Sequence, residues 1–284
     1  MSESVAEKLI TGGMIPVEPK LRIIGLGAGV QSSVMALMGD RGDFGPKPDA
    51  AIFADTQWEP AGVYEHLDWL ESQLSFPVYR VTAGNIRENE IQGKTPTSGD
   101  GNEYQFNTIP LYTEKGISHR QCTSQYKIRP ILQKTRELLG LAPRQRSKEI
   151  FSEHWMGISL DEIVRMKDSR DKFVVHRFPL IEKRMERRHC IEWFAQHYPN
   201  RTLEKSSCLG CPYKRNEQWR ELKMGRKEDW DDVVEFDKQI RNIDPRAKQF
   251  LHRSCKPIDE VDFRNLEDMG QLSFLDECDG MCGV

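Results

Sequence analysis

Residues 21 to 37 read Leu-Arg-Ile-Ile-Gly-Leu-Gly-Ala-Gly-Val-Gln-Ser-Ser-Val-Met-Ala-Leu: an apolar run that ends in glycines and passes directly into a helix-forming segment. Such a run predicts a strand over Leu21 to Leu26, a tight turn, and a helix over Gln31 to Gly39. A turn of this kind aims unpaired backbone N–H groups and the positive end of a helix dipole at one point, where an anion binds. Gly27 and Gly29 permit close backbone approach, and Gln31, Ser32 and Ser33 add side-chain donors. The third glycine of a dinucleotide fingerprint is missing. A plain strand-to-helix turn is the structural alternative.

Beyond the turn, strands and helices alternate. Ala50 to Ala54 reads as a strand, Pro60 to Leu74 as a helix and Val78 to Val81 as a strand. The helix is the clearest element: Pro60 suits a first helical position, and Val63, Leu67, Leu70 and Leu74 mark one buried face. This alternation predicts an α/β fold with a mostly parallel sheet of five or six strands and helices on both faces. Ala83 to Gln125 is long and polar, as lids and disordered loops are. A helix over Pro130 to Leu139 and a strand over Ile150 to Ile158 return to the core. Helices are expected at Arg187 to His197, Asn216 to Met224 and Asp229 to Arg241. The expected organisation is a flexible leader over 1–20, a nucleotide-binding α/β domain over 21–200, and a helical, cysteine-bearing C-terminal part with an acidic tail over 201–284.

Length and charge narrow the function classes. A chain of 284 residues buries a sizeable core. Its net charge of −3 offers no bulk excess of cations for a nucleic acid or a membrane surface. The charge is uneven: nine Lys or Arg against four acids from Arg165 to Arg188, and eight acids against one Arg from Pro257 to Val284. No apolar stretch reaches the length of a membrane span and Met1 to Lys20 lacks a signal-peptide core, so a cytoplasmic protein is expected. Seven cysteines then favour metal or redox use over a disulfide framework.

Ligands of open parallel sheets bind beyond the carboxyl ends of the strands. The glycine turn, the end of the second strand at Asp55 and Thr56, and Gly157 at the end of a later strand are expected to converge there. Asp55 would accept from a ribose hydroxyl or cap the following segment. Arg165 and Arg170, close behind Gly157, are the chosen anion ligands of the basic stretch, with Arg120 and Lys127 further candidates. Cys208-Leu209-Gly210-Cys211 aims two thiolates at one metal, and Cys122 and Cys255 are candidates for the remainder, giving a [4Fe–4S] cluster or zinc if the thiols are not simply free. Cys190 lies in an amphipathic helix and reads as a core residue. Cys278 and Cys282 lie in a glycine-bearing tail and are either reactive thiols or ordinary terminal cysteines.

These segments resemble the phosphoadenosine-phosphosulfate (PAPS) reductase family, within the adenine-nucleotide α-hydrolase-like (PP-loop) superfamily, over about Leu21 to Cys211. Ala28 to Ser33 is similar to the family's Phe-Gly-Ile-Gln turn. Phe53 to Pro60 with Tyr64 is similar to its Asp-Thr-Gly segment, Arg120 to Pro130 to its Cys-Cys-x-x-x-Lys-x-x-Pro segment, and Gly157 to Arg170 to its Gly-Ile-Arg stretch. Thr123 stands where the family has its second tandem cysteine, and Asp279 is inserted in its Glu-Cys-Gly segment.

The resemblance implies adenylyl recognition at the turn, a [4Fe–4S] cluster on Cys122, Cys208, Cys211 and Cys255 with zinc as the alternative, and no tightly bound organic cofactor. It implies Cys278 as the nucleophile that takes sulfur from an adenylyl sulfate, PAPS or APS, with thioredoxin or glutaredoxin as thiol donor. Cys282 would be a resolving thiol. Two other readings stay open. One is ATP-dependent sulfur transfer to tRNA or DNA, although Val30 and Gln31 stand where a Lys and an Asp would handle pyrophosphate and magnesium. The other is a non-catalytic nucleotide-binding iron–sulfur module of a nucleic-acid-modifying complex.

Overall fold

The computed structural model describes residues 18–93, 108–142, 145, 151–203 and 205–264. The chain forms two compact units. The first comprises the described parts of Met1–Ala54, Ala61–Val81 and Pro130–Ser206, and the second those of Asp55–Pro60, Thr82–Arg129 and Ser207–Val284. Among the described residues no helix is long and apolar enough to cross a membrane.

The first unit is built on a five-stranded sheet. In chain order the strands are β1 (Leu21–Leu26), β2 (Ala50–Asp55), β3 (Val78–Thr82), β6 (Ser152–Met156) and β7 (Val174–Arg177), arranged β3-β2-β1-β6-β7. The pairs β1–β2, β1–β6 and β6–β7 are parallel, with Ile24 opposite both Ala51 and Trp155. Strands buried on both faces need continuous apolar runs, and Ala50 to Ala54 is buried throughout. Helix α1 (Val30–Arg41) connects β1 to β2 and is buried from Val30 to Gly39. Helix α2 (Ala61–Gln73) connects β2 to β3 and sinks Val63, Leu67 and Leu70 completely. Each such side chain contributes about 1.5–3 kcal/mol. The α/β class and the parallel sheet stand as the sequence predicts.

Two stretches differ from expectation. The basic run after Arg165 contains β7 and the short helix α5 (Pro179–Glu182). Only Val174 and Val175 are apolar in that strand, and β7 pairs at one edge of the sheet, so its sequence carries little periodic signal. The long polar stretch holds helix α3 (Ile86–Ile91), capped by Asn85, whose side chain accepts from the N–H groups of Arg87 and Glu88. It also holds the small antiparallel pair β4 (Tyr112–Thr113) and β5 (Gly116–Ile117). Ile86, Ile109 and Leu111 are buried there, so the described parts of this stretch are packed protein. Residues 94–107 and most of the leader lie outside the described residues.

The second unit carries its own core. Helices α7 (Asn216–Met224) and α8 (Lys227–Ile240) supply Trp219, Val233, Phe236 and Ile240, packed with Trp58, Tyr126, Leu209, Leu251 and Ile258. Buried Asp237 organises the chain beyond α8: it pairs with Arg241 and accepts from the N–H groups of Leu251 (3.1 Å) and Ile258 (3.2 Å). Helix α4 (Arg129–Leu138) follows a π-helical segment over Thr123–Ile128. Pro130 has no N–H to offer the Tyr126 carbonyl, which is the local reason for the wider turn.

Candidate functional site: the turn at the sheet's switch point

In the first unit the strand order reverses between β1 and β6, and a crevice for a ligand opens at the carboxyl ends of such a strand pair. Both ends are built for close approach. The N–H groups of Gly27 and Gly29 converge on Ser32 Oγ, each at 3.2 Å, so the turn is already folded around an oxygen atom. Ala28 sits at φ 53°, a left-handed conformation that a non-glycine residue adopts at a cost and that turns these N–H groups inward. Gly157 leaves β6 directly against the turn. A Cβ there would lie 2.9 Å from Ser32 Cα, so only glycine admits the contact.

Gln31 ties the two strand ends together. Its Nε2 donates to Ser159 Oγ (3.4 Å) and Glu162 Oε2 (3.3 Å), and its Oε1 accepts from Arg187 Nη1 (3.0 Å). Ser33 pairs with buried His66 Nε2 at 2.9 Å. Burial, aided by the Arg201 charge, pushes His66 down to about 4, so it is neutral at pH 7. Of the two arginines chosen from sequence, Arg165 is ion-paired with Glu162 (2.6 Å) and Arg170 is exposed. It is instead Arg187, farther along the basic stretch, that reaches Gln31, and the one sequence signal for it is position: it opens helix α6 (Arg187–His197), whose bounds the periodicity gives correctly. Cys190 in that helix is fully buried, and burial pushes its thiol up to about 12, as a core cysteine requires.

The second unit holds the other predicted residues. Asp55 Oδ1 accepts from the Gln57 N–H at 2.7 Å, closing a local turn at the end of β2. Thr56 Oγ1 donates to Glu59 Oε1 (3.2 Å) and lies 3.3 Å from Cys208 Sγ. The Cys208 thiol also donates to Glu59 Oε1 at 3.3 Å, and Lys127 Nζ stands 3.9 Å from the same oxygen. Burial and the Glu59 charge raise the Cys208 thiol well above its ordinary range. Cys208 and Cys211 close one turn through Cys211 N–H to Cys208 O (3.1 Å). Gly210 in that turn lies under Trp58, where a Cβ would come within 2.1 Å of the indole.

Cys122 packs against the core of this unit, Arg120 lies over the Tyr213 ring, and Cys255 takes a left-handed φ of 51°. Among the described residues no group of three or more His, Cys, Asp or Glu side chains is arranged to hold a metal ion. As placed, the four named thiols do not form a four-thiolate cage, and no chemical step is assigned to a cluster. Cys278 and Cys282 lie outside the described residues.

In comparisons with known proteins, no family model matches the chain and no curated protein matches it.

Proposed function

We propose that the protein binds an adenylyl sulfate at the turn after β1 and reduces it to sulfite with a thiol donor, in the manner of PAPS reductases. One observation carries the reading: Gln31 is spent on Ser159, Glu162 and Arg187. A Lys–Asp pair at positions 30 and 31 would bring a pyrophosphate-binding cation and a magnesium-binding carboxylate. A valine and a clamped neutral amide bring neither, which favours holding a nucleotide over splitting ATP.

The Cys278 thiolate attacks the sulfate sulfur, the bond from that sulfur to the bridging oxygen breaks, and AMP or its 3′-phosphate leaves with the electron pair. The product is an enzyme S-sulfonate. One thiol of the donor attacks Cys278 Sγ and expels sulfite, and its second thiol resolves the mixed disulfide and frees Cys278; where Cys282 resolves it instead, the Cys278–Cys282 disulfide that forms is reduced by the dithiol. The dithiol supplies the two electrons that reduce sulfate to sulfite. Cys122, Cys208, Cys211 and Cys255 stay the proposed ligand set for a cluster or zinc, tested by iron, sulfide and zinc analysis of anaerobically purified protein.

The function itself is tested by sulfite release from PAPS and APS with a reduced dithiol, beside thermal shifts with ATP, APS, PAPS and adenosine 3′,5′-bisphosphate. Sulfite release that falls to background in Cys278→Ser supports the reading. ATP turnover to AMP and pyrophosphate overturns it in favour of sulfur transfer. Nucleotide binding with neither product overturns it in favour of a non-catalytic module.

A further inference from the structure

We propose that Arg187 is the cation that receives the charged phosphate or sulfate group at the turn after β1, and that Gln31 is its positioning residue. The inference rests on reading that turn as a nucleotide site and names the residue that recognises the anion there.

Arg187 is half-buried at the start of α6, and its guanidinium donates from Nη1 to Gln31 Oε1. Among the described residues no carboxylate lies within ion-pair distance of it. The neighbouring acids are committed elsewhere: Asp161 accepts from the Arg187 backbone N–H (3.0 Å), and Glu162 holds Arg165 and Gln31 Nε2. A guanidinium carries five N–H donors in a planar fork that matches phosphate and sulfate oxygens. Withdrawing it from water without a counter-charge is costly, and the site tolerates this where the counter-charge is an incoming anion.

The orientation of Gln31 is dictated by chemistry. The Glu162 carboxylate only accepts, so the amide NH2 faces it and the amide oxygen faces Arg187. Aspartate at position 31 would pair with Arg187 and neutralise it; lysine would repel it. Glutamine holds the guanidinium against the first turn of the helix that follows the glycine turn and leaves its charge unspent.

The test is calorimetric binding of AMP, adenosine and inorganic phosphate to the full chain, in wild type, Arg187→Ala, Arg187→Lys, Gln31→Asp and Arg188→Ala, each checked for an unchanged melting curve. Arg187→Ala is expected to weaken AMP at least tenfold with adenosine unchanged. Arg187→Lys recovers part of the loss, because it restores charge without the fork. Gln31→Asp weakens AMP and flattens its salt dependence, and Arg188→Ala, whose side chain pairs with Glu186 at the surface, changes nothing. AMP affinity in Arg187→Ala within twofold of wild type overturns the assignment, as does an equal loss for adenosine. If the wild type binds phosphate but neither AMP nor adenosine, the nucleotide reading fails, and loss of phosphate binding in Arg187→Ala alone upholds the anion site. Binding of none of the three overturns both.

Discussion

Around the turn after β1, the polar contacts are spread over several partners: Ser32 closes the glycine nest, Ser33 holds His66 Nε2 while His66 Nδ1 is buried without a hydrogen-bond partner, and Gln31 bridges Ser159, Glu162 and Arg187. Around Cys208 they crowd onto one oxygen. Glu59 is buried with one oxygen shared by Thr56, Cys208 and Lys127, while its Oε2 is buried without a hydrogen-bond partner. A buried acceptor left unmade costs about 1–3 kcal/mol. The difference teaches that the first unit divides its polar contacts among separate partners and leaves the Arg187 guanidinium on a neutral amide. The second holds its thiols beside an unfinished polar cluster.

Acid is expected to separate the two units most strongly. In the first, burial pushes His66 down to about 4 and His154 to about 3, from an ordinary 6.5. Each binds its proton more weakly folded than unfolded, so the unfolded chain holds more protons and stability falls as pH drops from 6.5 toward 4. The loss is on the order of 3 kcal/mol per histidine at pH 4. The second unit has one such group, His252, pushed down to about 4. Hydrogen exchange followed from pH 7 to pH 4 should therefore show amides of β1 and β6 losing more protection than those of α8. Equal loss in both would break the comparison.

Two close-packed glycines, one in each unit, probe the same contrast sterically. Gly157→Ala drives a Cβ into the Ser32 backbone and Gly210→Ala drives one into the Trp58 indole, and overpacking of this kind costs roughly 2 kcal/mol in each. Only Gly157→Ala is expected to abolish AMP binding, because only it displaces the turn. Denaturant melts and calorimetry on both variants check this, and AMP binding retained in Gly157→Ala would remove the turn from the site.

Glu90 gives the smallest expected effect and the opposite sign. Burial pushes its carboxyl up to about 7 from 4.5, against hydrogen bonds from the Thr108 and Ile109 N–H groups that favour the charged form. Here the folded chain holds the extra proton, so stability falls as pH rises from 4.5 to 7. Glu90→Gln keeps an acceptor for those N–H groups and removes the charge. Stability at pH 8 should rise by roughly 1–2 kcal/mol, with the slope between pH 4.5 and 7 reduced. An unchanged slope would place the titration elsewhere.

Sequence by itself determined the parallel α/β architecture, because strands buried on both faces demand unbroken apolar runs and helix α2 shows its one-sided period in Val63, Leu67 and Leu70. It also marked the glycine turn, Gly157 and the Cys208–Cys211 turn, since each announces itself through local backbone chemistry. What only the tertiary structure decided lies in pairings between distant residues. Neither Arg187 reaching Gln31 across 156 positions nor Glu59 reaching Cys208 across 149 leaves a periodic trace in the chain. Arg165, the residue nearest the strand end in sequence, is quenched by Glu162 three positions away, while Arg187, delivered by the later helix α6, keeps its charge. Proximity along the chain selects candidates, but only the folded packing decides which cation meets a carboxylate and which meets a neutral amide.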